Sequence, residues 1–250
     1  MRKEQQLDRF SKQTKTYAKI RPTYPIEIYE FLSTLTPSRQ KVWDCGTGNG
    51  QAALHLAQFF DHIYATDLSH EQIQNATPHE RITYEACAAE DVALDESTVD
   101  LVTVAQAIHW FDLDRFYPKV KHVLKPGGIF AIWAYGHMHA QDEQVNELFQ
   151  HIGNDLLKDY WDAHVKKIWR GYDSLDFPFE DISHPEWMMQ TQWSRPELIA
   201  YIESWSAAQK YYDTHQKSVL EDIYDTLEKI WPNSDQKHIF QTPLTSRIGV

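Results

Sequence analysis

The chain has 250 residues, with 24 Lys and Arg against 36 Asp and Glu, a formal net charge of −12. Its 42% hydrophobic and 13% aromatic content marks a globular chain long enough for a full core. The charge sign argues against a nucleic-acid or anionic-membrane binder, which needs a cationic surface to displace counterions. No apolar run approaches the roughly 20 residues that span a bilayer. The first 22 residues are charged without a following apolar stretch, unlike a secretory signal. Two cysteines, Cys45 and Cys87, are too few for a disulfide framework, and a reduced cytoplasmic setting is expected.

In chain order, Ile28, Phe31, Leu32 and Leu35 recur at helical spacing over 26–35. KVWDCGTGNG reads as a short strand entering a glycine turn, and Ala53, Leu54, Ala57 and Phe60 mark a helix after it. HIYAT (62–66) is a second strand, closed by Asp67, and Ser69 with Gln72 opens a helix in the manner of a capping box. ITYEAC (82–87) is a third strand. VDLVTVA (99–105) is a fourth, apolar enough to be covered on both faces. A helix through Phe116, Val120 and Val123 stops at Lys125-Pro126-Gly127-Gly128, and IFAIWA (129–134) is a fifth strand. Such alternation predicts a parallel α/β sheet with right-handed crossovers.

After residue 137 the rhythm changes. Residues 141–170 read as helical, 186–193 as a strand, and Ser194-x-Pro196 opens a helix. A stripe through Leu220, Ile223, Tyr224, Leu227, Ile230 and Trp231 marks another, and 238–248 reads as a last strand. No linker is visible, so one domain is expected over 1–250. It comprises an N-terminal helical segment (1–41), a core of alternating strands and helices (42–136), and C-terminal strands with inserted helices (137–250); the resemblance described below implies that these are a lid, a cofactor-binding core and a cap. The charge follows these segments: the first holds nine basic and four acidic residues, a net of +5, and the other two carry −8 and −9.

Three of the nine glycines, Gly46, Gly48 and Gly50, fall in one strand-to-helix turn, where a ligand can approach the backbone. No Gly-Lys-Ser/Thr follows, which excludes a phosphate-binding loop of that type. Gln51 stands where a dinucleotide fingerprint needs glycine. Asp44, just before the turn, would repel a pyrophosphate and attract a cationic ligand. Asp67, about 20 residues on, is placed to accept hydrogen bonds from both hydroxyls of a ribose.

Five ordered stretches, VWDCGTGNGQAALHLA, YATDLS, AAEDVAL, VDLVTVAQAIHWFD and VLKPGGIFAIWAYG, together with Tyr17-x-x-x-Arg21-Pro22-x-Tyr24-Pro25, cover more than half the chain. They resemble the class I S-adenosylmethionine-dependent methyltransferases, in particular the type 11 group that includes trans-aconitate methyltransferase-like enzymes. The resemblance implies a Rossmann-like α/β fold, with a mostly parallel seven-stranded sheet, an antiparallel last strand, flanking helices and an added helical cap. It implies S-adenosyl-L-methionine as cofactor and S-adenosyl-L-homocysteine as product. It assigns Gly46, Thr47, Gly48 and Gly50 to the methionyl part, Asp44 to its ammonium, Asp67 to the ribose, Leu68 to a face of the adenine, and Ala89 and Glu90 to the adenine loop. In that loop Cys87-Ala88 replaces the usual Gly-Asp. Ala105, Gln106 and His109 match the loop under the transferred methyl. Tyr17 and Arg21 match a lid clamping the cofactor carboxylate, for which a planar guanidinium is suited.

The expected activity is methyl transfer to a small-molecule acceptor, a carboxylate or hydroxyl oxygen being favoured, with His109 as the candidate base where the acceptor carries a proton. A non-catalytic cofactor- or nucleoside-binding relative, and a nicotinamide oxidoreductase, are the alternatives; Gln51 and Asp44 weigh against the latter. No metal is expected, since His137-x-His139 lacks a third ligand at useful spacing. Cys45 reads as a small hydrophobe. Of the six Trp after residue 137, most read as core, and Trp205 or Trp110 is a candidate for an aromatic acceptor pocket. The sequence leaves oligomeric state open and gives no sign of a nucleic-acid or membrane partner.

Overall fold

The computed structural model describes residues 22–162, 165, 172 and 175–250. The chain divides into two compact units. The sheet unit comprises Tyr24–Gly136, Lys167–Met188 and Pro243–Val250; the second comprises Met1–Thr23, His137–Lys166 and Met189–Thr242, and so interrupts the first in chain order.

The sheet unit begins with helix α1 (Ile26–Leu35) and strand β1 (Lys41–Cys45). Helix α2 (Gln51–Leu56), β2 (His62–Asp67), α3 (His70–Gln74) and β3 (Ile82–Ala86) follow, then β4 (Val99–Ala105), α4 (Leu113–Val123) and β5 (Leu124–Tyr135). These five strands lie in the order β3-β2-β1-β4-β5, all parallel. Every strand therefore ends at the same edge, and the turns after Cys45, Asp67, Ala86 and Ala105 gather there. The first six residues of β4 are buried, as its apolar run predicts. On one face Trp43, Val102, Val104 and Phe130 pack with Phe116, Val120 and Val123 of α4. On the other face Tyr29 of α1 sets its ring edge-on against Trp133 of β5, with centroids 5.9 Å apart. Ser69 caps α3 by accepting from the Gln72 amide.

At the opposite edge of this sheet, Asp100 is fully buried and holds Lys125 at 2.8 Å. It also accepts from the Ser38 hydroxyl and the amides of Gln40 and Lys41. Burial pushes its carboxyl up, but Lys125, Ser38 and the Lys41 amide outweigh that and hold it below its ordinary value.

In the second unit are β6 (His139–Ala140), α5 (Glu143–His151), β7 (Met188–Trp193), α6 (Arg195–Glu203), α7 (Ser206–His215) and α8 (Tyr224–Ile230). β7 takes its first residue, Met188, from the sheet unit. Strand β8 (His238–Gly249) starts in the second unit and ends in the sheet unit. It pairs antiparallel with β5 from Phe130↔Gly249 to Tyr135↔Leu244 and with β6 at His139↔Gln241. The mostly parallel sheet with an antiparallel last strand is thus present, and β6 and β7 bring the strands among the described residues to eight. The second unit has its own apolar core, built on Phe149, Ile152, Trp193, Ile202, Leu227, Trp231 and Phe240. Ser194 and Glu197 form a reciprocal capping box at α6. Of the helical stretch expected over 141–170, α5 is present and runs into a wide turn at Ile152–Leu156, where the Gly153 carbonyl accepts from the Trp161 indole at 2.8 Å, while residues 163, 164 and 166–170 lie outside the described residues.

Candidate active site

The glycine turn is fixed mainly by the protein itself. All three glycines have left-handed φ: +68° at Gly46, +58° at Gly48 and +85° at Gly50. A Cβ at Gly46 would lie 2.4 Å from the Ala107 Cβ, and one at Gly50 would lie 2.3 Å from the Tyr84 hydroxyl oxygen. Those two glycines are thus required by internal packing. Gly48 differs: its nearest neighbour would be the Gln72 side-chain oxygen at 3.9 Å, so this is where the bare backbone faces open space.

Asp67, at the end of β2, ties the turn to the neighbouring strand. One carboxylate oxygen accepts from the Gly48 amide at 2.8 Å and the other from the Ser69 amide at 2.9 Å. A carboxylate offers about four lone-pair sites, so two backbone bonds orient it and leave acceptor capacity on both oxygens. Beside it Leu68 is 77% exposed, a large apolar side chain left in water at a strand end. An oriented carboxylate next to an uncovered apolar surface suits a ribose diol carrying a flat base.

Asp44 is differently placed from the sequence expectation. It is fully buried, and its two oxygens accept from the Thr47 and Thr103 hydroxyls at 2.5 and 2.7 Å. Burial raises its carboxyl to about 6, against the pull of those two hydroxyls. The Thr47 amide in turn bonds the Thr66 carbonyl at 2.9 Å. Asp44 therefore orders the turn from beneath. On the same face Tyr29 Oη and Trp133 Nε1 are buried polar atoms with no hydrogen-bond partner among the described residues.

The loop after β4 supplies the other wall. Gln106 is half-buried with φ +56°, a left-handed conformation unusual for a side-chain-bearing residue. Its amide bonds the Trp133 carbonyl and its side-chain nitrogen bonds the Tyr135 carbonyl at 3.0 Å. His109 sits in a short turn, Ile108–Trp110, with its ring 5.3 Å from that of Trp110, which is 58% exposed. Phe111 reaches back to within 3.2 Å of where a Gly46 Cβ would stand. In the loop after β3, Ala89 is buried and Glu90 accepts from the Asp112 amide at 2.8 Å, joining this loop to the one after β4.

The structure thus gathers Asp44, Gly46, Thr47, Gly48, Gly50, Asp67, Leu68, Ala89, Glu90, Ala105, Gln106 and His109 at the turns of one sheet edge. Tyr17 and Arg21 lie outside the described residues. Thr103, Tyr84 and Phe111 were missed by sequence reasoning. Thr103 left a signal, a hydroxyl in an otherwise apolar strand; Tyr84 and Phe111 left none. Among the six late tryptophans, Trp187, Trp193 and Trp231 are buried, Trp161 and Trp205 are half-buried, and Trp169 lies outside the described residues.

The chain is similar to known proteins along most of its length. The family described as methyltransferase domain matches residues 43–132. A Dictyostelium discoideum protein named as a methyltransferase is 34% identical over 231 residues, covering 91% of this chain and 88% of that one. A Saccharomyces cerevisiae protein named as an S-adenosylmethionine-dependent methyltransferase is 28% identical over 168 residues, 62% of this chain and 58% of that protein. A solved structure named for a type II methyltransferase of Anaeromyxobacter dehalogenans superposes with a TM-score of 0.86 at 33% identity, covering 92% of this chain and 97% of that one. Among the described residues no helix is long and apolar enough to cross a membrane. With a parallel sheet, a glycine turn anchored on Asp67 and relatives of this kind, the chain belongs to the class I S-adenosylmethionine-dependent methyltransferases of the type 11 group.

Proposed function

We propose that this methyltransferase acts in the cytoplasm on a small-molecule acceptor, with a carboxylate or hydroxyl oxygen as the favoured methyl-accepting atom. The whole of residues 1–250 works as a single methyltransferase domain. The observation that carries the site assignment is the Asp67 carboxylate, oriented by Gly48 and Ser69 beside the uncovered Leu68. In this reading Asp67 accepts from the two ribose hydroxyls, Leu68 and the Ala89–Glu90 loop flank the adenine, and the open backbone at Gly48 lets the methionyl chain pass. Tyr17 and Arg21 close on its carboxylate.

The cofactor, when bound, supplies a methyl group on a sulfonium sulfur, activated for in-line displacement. What remains for the chain is alignment, which is worth about 7–11 kcal/mol when two reactants are held in register. A carboxylate acceptor needs no base. For a hydroxyl acceptor, His109 on the loop after β4 takes the proton. The net charge of −12 supports a small molecule over a nucleic acid, whose phosphates a surface of this sign repels.

Isothermal calorimetry tests the site. S-adenosylhomocysteine should bind in the micromolar range and NAD should not. Asp67→Ala should weaken binding by about 1.5–3 kcal/mol through loss of charged hydrogen bonds, and unchanged affinity would refute the ribose role. Turnover against acid, phenol and amine libraries identifies the acceptor class.

A further inference from the structure

We propose that residues 68–81, the segment around α3, form a strap that closes over the nucleoside end of the bound cofactor, with Tyr84 as its latch. The proposal rests on the cofactor reading above, and three observations carry it.

First, the segment is held almost without packing. Helices α1 and α4 each bury four residues, whereas α3 buries none, and none of residues 68–81 is buried. Among the described residues, every hydrogen bond of residues 70–76 stays within the segment. Few apolar contacts and an exposed backbone mark a part of a chain that opens at little cost.

Second, both ends of the segment are tied to residues that also hold the glycine turn. Asp67 accepts from the Ser69 amide with one oxygen and from the Gly48 amide with the other. Tyr84 donates its hydroxyl to the Thr77 carbonyl at 3.1 Å, and the same hydroxyl fills the space beside Gly50. Beyond it, Arg81 donates to the Ala57 carbonyl at 3.2 Å. The ends are thus fixed and the middle is free to swing, which makes Tyr84 a positioning residue.

Third, the strap already leans over the place where the backbone is bare. The Gln72 side-chain oxygen would stand 3.9 Å from a Cβ on Gly48. At the root of the strap Leu68 is 77% exposed. A nucleoside resting on Asp67 gives Leu68 and the strap a surface to cover, and closure takes that apolar area out of water. Loop motions of this kind run in nanoseconds to microseconds, so closure follows binding without slowing it.

Hydrogen exchange on the full chain, read by mass spectrometry with and without S-adenosylhomocysteine, tests the strap. In the free protein the amides of residues 70–77 should exchange well ahead of those of β2. Ligand at about 100 times its dissociation constant should slow them by about 10- to 100-fold, the upper figure being the mass-action limit for a strap that must open to release it. The exposed turn at residues 95–98, on the opposite edge of the sheet, should be unaffected. Tyr84→Phe should remove most of the slowing. In stopped-flow fluorescence it should raise the dissociation rate by about 5-fold, the worth of one neutral hydrogen bond, and leave the association rate as it was. The proposal is overturned if residues 70–77 are as protected as β2 in the free protein, or if ligand binds and leaves their exchange unchanged. It is also overturned if ligand slows residues 95–98 equally, or if Tyr84→Phe leaves the dissociation rate as in wild type. Wild-type exchange decides the matter if Tyr84→Phe does not fold. Absence of any S-adenosylhomocysteine binding to the wild type refutes the cofactor reading, and this proposal with it.

Discussion

Asp44 should make the free protein less stable at neutral than at mildly acidic pH, and Asp44→Asn should remove that dependence. The carboxyl titrates near 6 in the folded chain against an ordinary value of 3.8, with burial the main cause. The folded state thus holds this proton more tightly than the unfolded state. Its stabilising contribution is fully present below the ordinary value and is lost as pH rises through about 6. Moving the carboxyl from 3.8 to about 6 corresponds to about 3 kcal/mol between those limits. Asparagine has nearly the same shape and no charge, and the Thr47 and Thr103 hydroxyls can turn to donate or accept. The variant should therefore unfold at higher denaturant than wild type at pH 8, and the two should converge toward pH 4. Urea midpoints at unit steps from pH 4 to 8, read by tryptophan fluorescence, give the difference directly. A difference that does not change with pH, or one that moves in favour of wild type as pH rises, would show that Asp44 is charged and well compensated.

Three other outcomes follow from the same sheet unit. Gly50→Ala should cost about 2–4 kcal/mol, combining a left-handed φ with displacement of Tyr84; thermal unfolding measures it, and pairing it with Tyr84→Phe should recover part of the loss. Lys125→Met should cost about 3 kcal/mol at pH 7 by leaving Asp100 buried without its cation. Because Lys125 holds that carboxyl down, the loss should shrink on acidification, and denaturation curves at pH 7 and pH 4 would expose a contrary trend. Tyr29→Phe should raise stability by about 1 kcal/mol, because it removes a buried hydroxyl that has no partner among the described residues; a fall in melting temperature would reveal a bound water or ligand on that oxygen.

The parallel strands were readable because each is an apolar run bounded by its own punctuation. Ser69, Ser194 and the Lys125–Gly128 stop fall where their side chains or backbones act. Helix α7 was not readable: SAAQKYYDTH buries only Ala207 and Ala208, too small to mark a stripe, and its N-cap is Trp205, which bonds no backbone amide there. In the candidate site, Asp67 and the glycines stand at the strand-end turns where their spacing puts them. What spacing hid was the reason for each glycine. Gly46 and Gly50 answer to Ala107 and Tyr84, residues from other strands and loops, and such contacts leave no local trace. The burial of Asp44 was hidden for the same reason, since Thr103 lies 59 positions away. Gln106 gave no hint of its left-handed backbone, because glutamine carries no such preference.

The glycine turn is complete without a ligand. Its amides, hydroxyl and carboxylates hold one another in place through Thr47, Asp44, Thr66, Gly48 and Asp67, with acceptor capacity left over on Asp67. A platform assembled in advance spares the association step the entropy of ordering it, so affinity there goes into contacts rather than into building the surface. Encounter with the nucleoside end should accordingly be a simple second-order process, with a rate that rises linearly with ligand concentration and shows no plateau from a slow rearrangement of this turn.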